Sequence, residues 1–232
     1  METDKKEIKK FYGAFAGDKY LTEIRRFGLR YDEMIETIVD LLSITSPKEI
    51  LDIGCGIGNI EELIFEKLPN SKITCIELSS EMASVSKERL IKFQNKVNII
   101  CQDILNFESK QKFDVIFSNL VIHNLSIAKK KELLKKIRTW LKPNGIFIWG
   151  EFMDWKDKEI DKHFMDYRKK VILESGADKK IVEDILVKEE KDPRLTVIET
   201  IDLLRKVGFK NPEVLWVYSF LAVFRARKMN GK

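Results

Sequence analysis

One stretch constrains this chain more than any other: Ile50-Leu51-Asp52-Ile53-Gly54-Cys55-Gly56-Ile57-Gly58-Asn59. Leu51 and Ile53 supply a short apolar strand, three glycines follow at alternate positions, and a helical pattern starts at Ile60. Glycines here let the backbone turn sharply and approach a ligand where a Cβ would obstruct it. A strand, a glycine turn and a helix N-terminus form the crevice in which α/β sheets hold nucleotide-like ligands. The spacing is Gly-x-Gly-x-Gly. Asn59 stands where a dinucleotide fingerprint has its third glycine, which disfavours a dehydrogenase. Asp52, two residues ahead of the first glycine, is placed to receive an ammonium group. The next strand ends in Glu77, where a carboxylate can accept both hydroxyls of a ribose.

The rest of the chain repeats the strand–helix rhythm. Strands are expected at 49–53, 72–77, 97–101, 113–118 and 145–151, with helices near 60–68, 81–93 and 127–141 between them. Alternation at this spacing implies right-handed crossovers and a parallel sheet covered on both faces. Residues 5–44 read as helical, with Met34, Ile35, Ile38, Val39, Leu41 and Leu42 on one stripe. Residues 152–195 are helical in pattern but contain no strand, so they form an insertion. Thr196 and Glu199 make a capping box, and Gly208 is suited to close that helix. Strands near 213–218 and 220–227 are joined by a turn too short for a parallel crossover and must pair antiparallel.

Composition narrows the class of partner. No apolar run reaches membrane-spanning length, and no apolar segment follows the charged N-terminus. The expectation is a cytoplasmic protein with no membrane partner. The net charge of +5 arises from lysines and glutamates interspersed on helices, and the composition does not call for a nucleic-acid partner. Cys55, Cys75 and Cys101 lack ligand spacing and fall in or beside core strands. They are expected to be buried free thiols, with neither a metal site nor a disulfide. Monomer and homodimer both remain open.

Five segments in order carry a family resemblance: LDIGCGIGN, CIELSSEM, CQDILNF, FDVIFSNLVIHNL and LKPNGIF. Together they resemble the successive motifs of class I S-adenosylmethionine-dependent methyltransferases, over roughly residues 28–228. The resemblance implies an α/β, Rossmann-like, seven-stranded sheet, mostly parallel with an antiparallel last strand, helices on both faces and a helical lid. It divides the chain into a cover at 1–44 and a core at 45–232 carrying the insertion. The implied cofactor is S-adenosyl-L-methionine, with S-adenosyl-L-homocysteine as product. Gly54, Cys55 and Gly56 would bring backbone against its methionine and ribose, and Glu77 would take the ribose. Leu78 and Met82 would lie along the adenine. Asp103 and the Ile104 N–H would read its edge, and Asn119 would face the sulfonium. By resemblance to the branch that includes carboxy-S-adenosylmethionine synthase, Tyr31 would touch the methionine carboxylate, with Arg26 or Arg30 able to pair with it.

The implied activity is methyl transfer to a small-molecule nucleophile. His123 is a candidate base or substrate contact, since it follows the fourth strand and is expected to face the same crevice; a histidine that merely braces its loop is the other reading. Tyr12, Tyr20, Trp155, His163, Tyr167 and Trp216 are candidate walls of a dry pocket. Carboxy-S-adenosylmethionine synthesis is the alternative. It needs a cation for the extra carboxylate, yet Leu203 stands nearest the family's arginine position and Arg205 lies two residues on. A non-catalytic protein that binds S-adenosylmethionine is a third reading.

Overall fold

The computed structural model describes residues 5–14, 16–177, 179–189 and 192–229. Three helices lead: α1 (Lys5–Ala14), α2 (Asp18–Phe27) and α3 (Tyr31–Thr45). The sheet begins with β1 (Glu49–Ile53), then α4 (Asn59–Lys67), β2 (Lys72–Glu77), α5 (Ser80–Arg89) and β3 (Val97–Cys101). It continues through β4 (Phe113–Asn119), α6 (Ile127–Trp140) and β5 (Leu141–Phe152). After α7 (Lys158–Glu174), α8 (Lys179–Glu189) and α9 (Val197–Lys206), the chain closes with β6 (Lys210–Tyr218) and β7 (Leu221–Arg227).

The seven strands lie in the order β3-β2-β1-β4-β5-β7-β6. Only β7 runs against its neighbours, pairing antiparallel with both β5 and β6. The sheet order reverses between β1 and β4, which opens a crevice at the carboxyl ends of those strands. Alternation along β1 feeds two cores. Ile50 faces a layer built with Met34, Ile38 and Leu42 of α3 and Ile60 and Ile64 of α4. Leu51 and Ile53 face the layer built with Leu133, Leu134 and Ile137 of α6 and Leu203 and Leu204 of α9. The apolar stripe of α3 is therefore spent on the sheet.

The insertion is a closed excursion. Its ends meet where Met153 bridges Leu195 and the Asp154 N–H donates to the Leu195 carbonyl at 3.0 Å. Between them α7 and α8 form a third apolar cluster, of Ile172, Val182, Ile185 and Leu186, which takes in Phe27 of α2. Arg168 of α7 is fully buried at this junction. It pairs through both guanidinium nitrogens with Glu189, donates to the Phe27 carbonyl at 2.9 Å, and lies over the Phe152 and Phe220 rings.

Three local expectations need correcting. The helix expected over 81–93 ends at Arg89 and passes into a 3-10 turn, because Leu90 turns inward and is fully buried. Strand β5 starts at Leu141 rather than 145, since Leu141 pairs with Phe113 across an irregularity that absorbs Pro143-Asn144. Cys101 is exposed, because β3 is an edge strand; Cys55 and Cys75 are the buried thiols. Among the described residues no helix is long and apolar enough to cross a membrane.

Candidate cofactor and substrate site

A cavity of about 870 Å³, including its opening to solvent, occupies the crevice. Its floor is the glycine turn. Gly54, Gly56 and Gly58 all have positive φ, which L side chains rarely adopt. A Cβ on Gly54 would meet Val121 Cγ2 at 2.3 Å, and one on Gly58 would meet Ser86 Oγ at 2.8 Å. At Gly56 the nearest atom is the Tyr20 hydroxyl at 4.0 Å, so this glycine leaves backbone bare toward the cavity.

Glu77 and Asp103 line the cavity at the ends of β2 and β3. Glu77 accepts from the Gly56 N–H at 2.9 Å and the Ser79 N–H at 2.8 Å, one on each carboxylate oxygen. Burial pushes its pKa up, partly offset by these bonds. Asp103 caps the 3-10 turn that follows β3, accepting from the Leu105 N–H at 3.0 Å. Between the two acids run Ile76, Leu78, Met82 and Ile104. Asn119, Leu120, Val121, Asn124 and Leu125 form the opposite wall, with Tyr20 of α2 above the glycine turn. Gly150 has no side chain because Asn119 Oδ1 occupies that space, 2.4 Å from where a Cβ would stand.

The sequence pattern of the methyltransferase domain family matches residues 51–147, the span from β1 to β5. A carboxy-S-adenosyl-L-methionine synthase from Nautilia profundicola is 26% identical over 207 residues, covering 85% of this chain and 86% of that protein. A malonyl-[acyl-carrier protein] O-methyltransferase from Ilyobacter polytropus is 31% identical over 151 residues, 64% of this chain; the match spans only 55% of that protein. In fold, the magnesium protoporphyrin IX methyltransferase of Synechocystis PCC 6803, solved with bound S-adenosylhomocysteine, superposes with a TM-score of 0.69 at 12% identity, over 97% of this chain and all of that one. Residues 51–147 form a methyltransferase domain.

Eight of the residues expected at the cofactor of this methyltransferase line the cavity: Gly54, Gly56, Glu77, Leu78, Met82, Asp103, Ile104 and Asn119. Three do not. Asp52 alternates to the face of the sheet that carries α4, where it neighbours Glu61. Cys55 turns its thiol beneath the glycine loop toward Ser86, at 3.9 Å. Tyr31 packs under α3, with its hydroxyl accepting from Asn59 Nδ2 at 3.4 Å, and burial raises its pKa to about 12. Asp52, Cys55 and Cys75 bring one polar atom each within 4.8 Å of one another. Burial, reinforced by Glu61, raises the Asp52 pKa well above the carboxylate range, and burial raises that of Glu61 too. Contact with Cys75 favours the Cys55 thiolate, but burial and nearby acids outweigh it, and burial likewise pushes Cys75 up. Burial and the crowding of acidic groups thus favour the protonated, neutral forms in this cluster.

Of the residues expected at the methyl acceptor, Tyr20 lines the cavity and the Tyr12 side chain lies outside the described part. Within the insertion Trp155 stacks on Phe164 and His163 stands edge-on to the same ring, while Trp216 lies tilted against Tyr218 at the end of β6. Tyr167 is exposed on α7. None of these four reaches the cavity. His123 does not face it either. The loop after β4 makes a 3-10 turn over Ile122–Asn124, which turns the His123 ring inward and Asn124 outward. His123 Nδ1 lies 2.7 Å from Glu151 Oε1, Nε2 lies 3.1 Å from Asn124 Nδ2, and the ring stands edge-on to Phe152. Asp192 Oδ2, at 4.0 Å from Nε2, is beyond hydrogen-bond reach.

Lys130 fixes this turn from below, donating to the carbonyls of Ile122, His123 and Leu125 at 2.7, 3.0 and 2.7 Å. Burial brings its pKa down to about 8, against the pull of Glu151 and Asp192. Burial opposes ionisation of Glu151, yet His123, Lys130 and the Phe152 N–H more than offset it and hold its carboxyl below the ordinary range. Sequence reasoning missed Gln102, Leu120, Val121, Asn124 and Leu125 as wall residues. The available signal was positional: each follows the carboxyl end of a parallel strand, β3 or β4, where α/β sheets place their ligands.

Proposed function

We propose that this protein transfers the methyl group of S-adenosylmethionine to a small-molecule nucleophile. The observation that carries the reading is a cavity lined by Glu77 and Asp103 together with the apolar Leu78, Met82 and Ile104, above a turn whose Gly56 is open. S-adenosylmethionine supplies a methyl group on a cationic sulfur, open to in-line displacement. Glu77, already oriented by two backbone N–H donors, has lone pairs left for the ribose hydroxyls. Leu78, Met82 and Ile104 suit the faces of the adenine, and Asp103 with the Ile104 N–H suits its polar edge. Asn119, Leu120 and Val121 border the place where the acceptor enters. Exclusion of water there raises the value of every electrostatic contact.

Carboxy-S-adenosylmethionine synthesis is favoured by relatives that match most of the chain. The cavity argues against it. Glu77 and Asp103 are the charged side chains among the described residues that line it, and neither can hold a further carboxylate. Leu203 is buried in the α6 layer, Arg205 pairs in solvent with Asp202, and Arg30 with Glu33.

Calorimetry tests the reading. The purified protein should bind S-adenosylmethionine and S-adenosylhomocysteine, and Glu77→Ala should weaken both by roughly tenfold to a hundredfold for each ribose hydroxyl it holds, since bonds to a charged acceptor contribute about 1.5–3 kcal/mol each. Glu77→Gln, which keeps the shape, should lie between. Equal affinity in all three proteins would sink the ribose assignment.

A further inference from the structure

We infer that Asn124 receives the methyl acceptor and that the acceptor is a neutral amine; this rests on the methyl-transfer reading above. Asn124 lines the cavity and is 5% exposed, and its Oδ1 is buried without a hydrogen-bond partner. A buried amide oxygen left bare costs free energy, so it calls for a donor that comes with a ligand.

The orientation of that amide follows from its neighbours. Asn124 Nδ2 donates to the Val121 carbonyl at 3.0 Å, and a carbonyl can only accept, so the NH₂ must face it. The same NH₂ meets His123 Nε2, which must then be the bare, accepting nitrogen. The ring proton therefore stands on Nδ1 and is donated to the Glu151 carboxylate. Glu151 is itself held by the Trp149 indole at 3.0 Å and the Phe152 N–H at 2.8 Å. A chain of hydrogen bonds from the end of β5 thus fixes Asn124 with its oxygen unpartnered and its nitrogen spent. Glu151 and His123 are positioning residues, and neither nitrogen of His123 is left to take a proton from a substrate.

Three features select an amine. An oxygen acceptor reads an N–H or O–H donor and rejects a carboxylate or thiolate. No Lys, Arg or His lines the cavity among the described residues, so an anionic acceptor finds no partner. With no free base at Asn124, a hydroxyl has nowhere to leave its proton, whereas an amine attacks through its lone pair. In the step, the nitrogen lone pair forms the N–C bond and the C–S bonding pair goes to sulfur. The positive charge passes from sulfur to an N-methylammonium, whose extra proton leaves to water. The carboxamide oxygen holds one N–H throughout, aiming the lone pair and meeting the charge that develops on nitrogen.

The test uses the full chain saturated with S-adenosylhomocysteine and three probes of like shape: benzylamine above its own pKa, benzyl alcohol and benzoate. Benzylamine should shift the Asn124 side-chain amide resonance and bind about tenfold more tightly than benzoate, the worth of one hydrogen bond plus the penalty of an unpaired charge. Asn124→Leu and the milder Asn124→Ser should erase that preference while S-adenosylhomocysteine affinity stays within about twofold. Glu151→Gln should erase it as well, by moving the His123 proton to Nε2, a tautomer change visible in the histidine ¹⁵N shifts. An Asn124 resonance unmoved by benzylamine, benzoate binding as tightly, or a preference that survives in both Asn124 variants overturns the proposal. Wild-type protein that fails to bind S-adenosylhomocysteine overturns instead the methyl-transfer reading beneath it.

Discussion

At the scale of single residues, the site is built from groups whose neighbours leave little choice. Gly54 combines a φ of +83° with a would-be Cβ contact of 2.3 Å to Val121. Gly54→Ala should destabilise the fold by about 1–3 kcal/mol and impair cofactor binding, and Val121→Ala should recover the steric part alone, since the backbone strain remains. Denaturant melts of the two single variants and the double variant separate the terms. Asp52 and Glu61 give a second test. Both have folded-state pKa values raised by burial above the ordinary carboxylate range. Their contribution is complete below the unfolded-state value of about 4 and is lost as pH rises toward the folded-state value, because the folded form then binds more protons than the unfolded. Asp52→Asn, which stays neutral, should stabilise the protein increasingly as pH rises from 4 to 8. A constant difference in Tm between variant and wild type across that range would mean that Asp52 is ionised in the fold.

At the scale of elements, what the sequence revealed follows from what each pattern encodes. Strand β1 and its glycine turn were legible because alternation and glycine spacing are local. Of the eight cavity-lining residues foreseen from the motifs, seven stand at or just beyond strand ends or in that turn, and Met82 lies in the first turn of α5. The places of His123 and Asn124 were not legible, since one 3-10 turn exchanges which of two adjacent residues faces inward. The tie between α7, α8 and α2 was equally invisible, because Arg168 meets the Phe27 carbonyl 141 residues away. That tie makes a prediction. Arg168→Met should strand the partly buried Glu189 carboxylate, which Arg168 holds below the ordinary range against the pull of burial. The expected loss is about 3–5 kcal/mol, and Arg168→Met/Glu189→Gln should regain part of it. A double variant as unstable as the single one would show that the guanidinium matters through the Phe152 and Phe220 rings instead.

At the scale of the whole molecule, the two sheet-flanking cores and the third cluster divide the labour. The cores hold the strand ends that carry Glu77, Asp103 and Asn119, while α2, α7 and α8 share a small apolar cluster. Among the described residues of this outer unit, Tyr20 on α2 is the one that reaches the cavity. A ligand bound against Tyr20 therefore acts on α2 first, and through Phe27 and Arg168 on α7 and α8. The helices should respond as one cover rather than as separate segments. Hydrogen exchange with saturating S-adenosylhomocysteine should slow in α2, α7 and α8 together, by similar factors, with little change in α9, which packs with the α6 layer on the other face. Arg168→Met should uncouple them, leaving α2 protected by the ligand while α7 and α8 exchange as in the free protein. Protection confined to α2 in the wild type would show that the insertion does not close over the site.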